Sequence, residues 1–207
     1  MPTEPTIKRA VAFFDGQNLF YQAKEAFGYA FPNYDPKLLT ELVCKARGWT
    51  ISGIYFYTGI PGSVEKPDWH KFWSKKLAVM GTRGIHSFTR PLRYRPRTIL
   101  LPDGSKTVAR VGQEKGVDVR IALDFVGLAL ANVYDIALIF SQDQDLSEAV
   151  KEVKTISRMQ GQWIGTACAY PVGPGAQNSR GIDGTDWIKI SRMEYDACLD
   201  PIDYRNS

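Results

Sequence analysis

The sequence predicts an α/β fold organised around a mainly parallel β-sheet. Short apolar runs rich in β-branched and aromatic residues alternate with stretches of helical period, as β-α-β units require. Two of those runs, Val11-Ala12-Phe13-Phe14 and Ile136-Ala137-Leu138-Ile139-Phe140, hold no polar residue, the mark of strands buried on both faces. Each is followed closely by acidic residues, Asp15 after the first and Asp143 and Asp145 after the second.

The elements follow in order. A first strand covers about Arg9 to Phe14, with helices near Leu19 to Phe27 and Pro36 to Ala46; Pro36 suits a first helical turn. The second strand, Ile51 to Tyr57, is stopped by Gly59, Pro61 and Gly62. A helix from about Asp68 to Met80 lies between Pro67 and Gly81, and its Trp69, Phe72 and Trp73 are read as packing residues. Strand three is Ile85 to Thr89. Leu92 to Val111 reads as an inserted β-hairpin turning at Pro102-Asp103-Gly104-Ser105, where Asp-Gly is a strong turn signal. A helix then spans Val117 to Ala131, strand four Ile136 to Phe140, and a helix Leu146 to Met159, with Gly161 as its cap. Strand five is Trp163 to Tyr170. Pro171 to Gly184 reads as a loop, and a short strand at Trp187 to Ile190 precedes a tail holding Met193 to Cys198. One domain is expected over residues 1–207, with its core at about 9–190 and the hairpin at 92–111.

At 207 residues, 44% hydrophobic and 23% charged, the composition is that of a globular protein with one substantial core. No apolar stretch approaches the roughly 20 residues of a membrane span, and Met1 to Arg9 is polar, without a signal-peptide apolar region. Cys44, Cys168 and Cys198 are odd in number and far apart, so neither a disulfide framework nor a zinc knuckle is indicated. A cytoplasmic location and no membrane partner are expected. The net charge of +4 is mild. Its distribution is not: Arg83, Arg90, Arg93, Arg95, Arg97, Lys106 and Arg110 stand against Asp103 alone between positions 83 and 110. That segment suits a polyanion or, more simply, a solvated hairpin.

In an open parallel sheet the carboxyl ends of the strands share one crevice, where ligands bind. Asp15, Asp118 and Asp143 are expected there, and carboxylates so gathered repel one another unless a cation intervenes. Hard oxygen donors with spare water positions suit Mg²⁺ or Mn²⁺, and the reading is a metal site for phosphodiester chemistry. Structural readings stand beside it: an Asx turn at Asp15, a helix-dipole partner at Asp118, and an N-cap at Asp145, three residues before Glu148 as in a capping box. Asn18 would orient a carboxylate or water. Asp124 falls on another helical face from Asp118 and reads as structural. There is no P-loop and no dinucleotide fingerprint, and His70 and His86 show no spacing that suggests convergence on iron.

At Phe14-Asp15-Gly16-Gln17-Asn18-Leu19, Glu114-Lys115-Gly116-Val117-Asp118-Val119-Arg120-Ile121-Ala122-Leu123-Asp124 and Ser141-Gln142-Asp143-Gln144-Asp145, the chain resembles the NYN domain family. This is a PIN-like nuclease fold, three-layered, and the likeness is to its bacterial LabA-like branch. The resemblance implies a metal site of Asp15, Asp118 and Asp143, with Asn18 and Asp145 supporting it, and single-stranded RNA as substrate of an endoribonuclease. Arg90, Arg93, Arg95 and Arg97 would then meet backbone phosphates. Gln142 stands where many relatives have glycine. Some proteins of this size and pattern also resemble 6-hydroxy-3-succinoylpyridine hydroxylase, an NADH-dependent monooxygenase of nicotine degradation, but the chain holds no flavin, nicotinamide, haem or iron motif. A third class, a non-catalytic RNA-binding regulatory module, fits poorly with an intact carboxylate set. The oligomeric state is not legible.

Overall fold

The computed structural model describes residues 2–205. Chain order is β1 (Lys8–Asp15), α1 (Gly16–Phe27), α2 (Pro36–Arg47), β2 (Trp49–Ile60), α3 (Pro67–Thr82) and β3 (His86–Pro91). The hairpin β4 (Arg93–Leu100) and β5 (Lys106–Gln113) follows, then α4 (Val117–Leu130) and β6 (Ile136–Phe140). A 3-10 turn (Gln144–Leu146), α5 (Ser147–Gln160), β7 (Gly165–Pro171), β8 (Asp186–Ile190) and α6 (Arg192–Asp196) complete it. Six strands form one sheet in the order β3-β2-β1-β6-β7-β8, every pairing parallel. The hairpin is a separate antiparallel pair. Among the described residues no helix is long and apolar enough to cross a membrane.

Period-two alternation divides the central strands between two cores. Ala10, Ala12 and Phe14 of β1, with Leu138 and Phe140 of β6, face the layer of α1, α2 and α3. Val11 and Phe13, with Ala137 and Ile139, face α4 and α5. Phe14 stacks on Phe140 with ring centroids 4.0 Å apart, and Phe13 meets Phe125 edge-on at 5.2 Å. Because both faces of β1 and β6 are covered, these two runs contain no polar residue until they end. From β1 the chain winds one way to β2 and β3, then crosses over to β6, β7 and β8. The strand order therefore reverses between β1 and β6.

Several boundaries differ from expectation, among them that of β2, which runs through Gly59 to Ile60. α1 begins at Gly16, directly after β1, because Asp15 caps it: the Asn18 N–H donates to Asp15 Oδ1 at 3.0 Å. Gly16 is required there, since a Cβ would lie 3.0 Å from the Tyr57 carbonyl and strike the Phe56 ring. β7 begins at Gly165, not Trp163. The tail forms α6, started by a capping box of Ser191 and Glu194.

The tail is tied down by a buried charge. Lys76 of α3 is wholly buried and donates to the Tyr34 carbonyl at 2.8 Å and to Asp200 Oδ2 at 2.9 Å. Arg83 joins the group through Asp35 and, at 3.7 Å, Asp200.

Candidate active site

The reversal between β1 and β6 opens a crevice at the carboxyl ends of those strands. Asp15 ends β1 there, only 7% exposed. Ser141, the first residue after β6, donates from Oγ to Asp15 Oδ2 at 3.4 Å and accepts the Asp143 N–H at 3.1 Å. This hydroxyl couples the ends of the two strands. Asn18, one turn into α1, accepts the Gln142 N–H at 3.0 Å. Its oxygen fixes the 141–143 loop, so its work here is positional.

Burial pushes the Asp15 carboxyl up to about 6, against the hydrogen bond from Asn18, and the charges of Asp143 and Asp118 add to the rise. Asp118 stands exposed on the first turn of α4, and Asp143 is half-buried. The structure brings a fourth carboxylate into the same field. Glu114, between β5 and α4, accepts the Gly59 N–H. Burial pushes it up to about 7, and the charges of Asp15 and Asp118 contribute. Sequence reasoning quoted Glu114 within a motif and gave it no role.

The capping part expected of Asp145 is taken by Asp143. Asp143 Oδ1 accepts the Asp145 N–H at 3.0 Å and so caps the 3-10 turn. Asp145 is exposed and caps nothing: α5 starts at Ser147 without a side-chain cap, and Glu148 instead pairs with Lys151. Asp124 is structural as expected, held by Arg120 at 2.9 Å and by the Tyr57 hydroxyl at 2.9 Å.

Gln142 is buried, and its amide points away from the crevice. Nε2 donates to the Asn178 and Arg180 carbonyls at 3.2 and 2.6 Å. Gln144 makes a matching pair with Gly181 and Asp183. The larger residue at 142 thus anchors the 178–183 loop. His70 and His86 do not converge: His70 Nδ1 meets the Pro61 carbonyl at 2.9 Å, while His86 stacks on Tyr55 at 4.8 Å.

Among the described residues, no three acidic, histidine or cysteine side chains approach closely enough to form a ready-made metal cage. None of Asp15, Glu114, Asp118 and Asp143 makes an ion pair with a basic residue among the described residues. A buried carboxylate opposed by its neighbours' charges, with oxygen donors only, fits a hydrated divalent cation that keeps several waters. It does not fit a closed all-protein site.

Of the arginines, Arg90 comes close to this cluster: its guanidinium lies against Gly116, between Glu114 and Asp118 in the chain. Arg93, Arg95 and Arg97 alternate along β4 and are exposed on one face of the hairpin. Arg90, on β3, packs its guanidinium 5.5 Å from the Phe88 ring, and with Arg93 and Lys115 it borders a shallow hollow. The hairpin base is nearer the carboxylates: the Leu92 N–H donates to the Ile60 carbonyl at 2.9 Å, and Leu92 and Glu114 crowd Gly59.

Over residues 9–165 the chain matches the family model described as NYN domain. The chain belongs to the NYN domain family. That places it in a PIN-like nuclease family, and Asp15, Asn18, Glu114, Asp118, Asp143 and Asp145 all fall within the matched span. The match is to the NYN domain as a whole and does not single out the LabA-like branch. The crystal structure of a protein of unknown function from Vibrio parahaemolyticus is similar over 91% of this chain and 95% of its own, with a TM-score of 0.56 and 18% identity. At that identity the likeness is one of fold: a NYN domain with a central parallel sheet between helical layers. No curated protein matches the chain.

Proposed function

We propose that this NYN domain is a metal-dependent endoribonuclease acting on single-stranded RNA. The observation that carries the reading is the gathering of Asp15, Glu114, Asp118 and Asp143 in one field at the strand-order reversal. Membership in a nuclease family supports it. Asp15, Asp118 and Asp143 would hold Mg²⁺ or Mn²⁺, directly or through water, with Glu114 beside them. The bound ion would supply an activated water and charge stabilisation on the phosphate. Ser141 and Asn18 keep Asp15 and the 141–143 loop in register, Ser141 by donating to the Asp15 carboxylate while accepting the Asp143 backbone N–H, and Asn18 by accepting the Gln142 N–H. Asp145, exposed beside Asp143, would accept a water or a second cation. Arg90, Arg93, Arg95 and Arg97 would take backbone phosphates outside the carboxylate set.

The test incubates purified protein with labelled single-stranded RNA, with and without Mn²⁺, alongside Asp15→Asn, Asp118→Asn and Asp143→Asn. Cleavage should require the ion and fall at least about a hundredfold in each variant, a loss on the scale of one strong electrostatic contribution to catalysis. Full activity in Asp143→Asn at unchanged metal dependence would sink the assignment. Oxidation of NADH dependent on a hydroxypyridine substrate, with RNA left intact, would replace it with the monooxygenase reading.

A further inference from the structure

A cleft of about 510 Å³ opens beside the carboxylates, between the first turns of α1, the start of α3 and the base of the hairpin. Its floor includes Gly16 and Gly59. Gly16 adjoins Asp15 in sequence, and the Gly59 N–H is held by Glu114, so the cleft and the acidic edge share a wall. The volume lies within the range of small-molecule sites, roughly 300–1,000 Å³.

The lining combines flat rings with exposed cations. Trp69 borders the cleft and is half-buried, while it packs against the core as expected. Its ring meets Phe72 edge-on at 5.4 Å, which fixes its orientation. Tyr94, on β4, is pinned from the other end, because its hydroxyl accepts the Gly62 N–H at 3.2 Å. Lys24 and Lys66 are exposed on the rim and make no ion pair among the described residues, while Arg110 reaches Glu65 only at 4.0 Å. Held rings favour stacking, since little side-chain freedom remains to be lost on binding. Aromatic faces and mobile cations in one groove suit a single strand, whose bases stack on any π-surface and whose backbone is anionic.

We infer that this cleft is a nucleotide subsite, taking a base against Trp69 and Tyr94 and the adjoining phosphates on Lys24, Lys66 and Arg110. It rests on the nuclease reading in one respect: the shared wall then leads the next phosphate to the carboxylates. Because stacking tolerates every base, the subsite distinguishes single strands from duplexes rather than one sequence from another.

The experiment compares two labelled strands of equal length, an oligouridylate and an abasic ribose-phosphate chain, binding the full chain in metal-free buffer. The base-bearing strand should bind at least about tenfold more tightly. Trp69→Ala should remove that preference and Trp69→Phe should restore most of it, each checked for native circular dichroism. Lys24→Glu, at an exposed helical position that does not threaten folding, should weaken both strands. Equal affinity of the native protein for the two strands would overturn the subsite, as would full preference in a folded Trp69→Ala protein. Cleavage with Mn²⁺ reports on the other reading alone. RNA cut without base-dependent binding removes the subsite and leaves the nuclease; base-dependent binding without cleavage removes the nuclease and leaves the subsite.

Discussion

The Asp15 carboxylate caps α1, accepts the Ser141 hydroxyl and faces the charges of Asp143 and Asp118, so its charge is supported locally and opposed from across the crevice. The consequence is a pH dependence of the metal-free protein. Folding raises Asp15 from 3.8 to about 6, so the folded chain holds a proton that the unfolded chain releases between those values. This contribution is fully present below the unfolded value and is lost as pH rises through the folded one, roughly 3 kcal/mol for a shift of about two units. Glu114, raised to about 7, acts in the same direction and extends the window upward. Melting followed in chelator should therefore show stability falling from about pH 4 to about pH 7. Asp15→Asn should flatten much of that fall, because the amide does not titrate while it still caps the helix, and Mn²⁺ should oppose it in the native protein. A variant profile parallel to the native one would refute the account. The positions of Asp15 and Asp143 beyond the two apolar strands were legible because a carboxylate just past a wholly apolar run has few places to go. Glu114 was not, since its carboxylate is held by the Gly59 N–H, 55 residues away in sequence. At Asp145 the local D-x-x-E pattern suggested a cap, but β6 first leaves through a 3-10 turn, and the cap moves back to Asp143.

Among the elements, the hairpin was the most plainly written. Asp103 accepts the Ser105 N–H at 2.9 Å, and Gly104 takes a left-handed conformation at φ 83° that turns the chain. Its arginines alternate to one face because a strand has period two. If RNA phosphates meet them, replacing Arg93, Arg95 and Arg97 with glutamine should flatten the salt dependence of binding. The slope of log affinity against log salt should drop by about 2, at roughly 0.7 per neutralised single-strand phosphate. Binding titrations at several salt concentrations measure this, and an unchanged slope removes the hairpin from RNA contact. The role of α3 was less legible. Trp69, Phe72 and Trp73 share one helical stripe, yet Phe72 and Trp73 are buried and Trp69 borders the cleft. Periodicity identifies the stripe but not where the core beneath it ends.

At the scale of the molecule, the fold class and the parallel sheet followed from the alternation of runs, whereas the means of closure did not. A lysine within α3 looks solvated in sequence; Lys76 is buried because the tail returns across it and supplies Asp200. Burial pulls the Lys76 ammonium below its usual range while Asp200 opposes the shift, so the pair holds the tail at the cost of desolvating both charges. Removing one partner should be worse than removing both. Asp200→Ala should cost about 3–5 kcal/mol, and Lys76→Met with Asp200→Leu markedly less. Chemical denaturation of both proteins decides the point; equal losses would show that the ion pair does not hold the tail.

The hairpin's separateness has a consequence for the protein in a crowd. Two strands alone leave an unsatisfied ladder along each outer side, open to a strand from a neighbouring molecule. Exposed Leu100 and Val108 near its tip make such pairing more favourable. Arg93, Arg95 and Arg97 on one strand and Lys106 and Arg110 on the other repel an approaching copy, while Pro96 withholds a donor. The charge that would attract a polyanion is thus also a guard against self-association, and it is weakest in concentrated protein at high ionic strength, where screening shortens its reach.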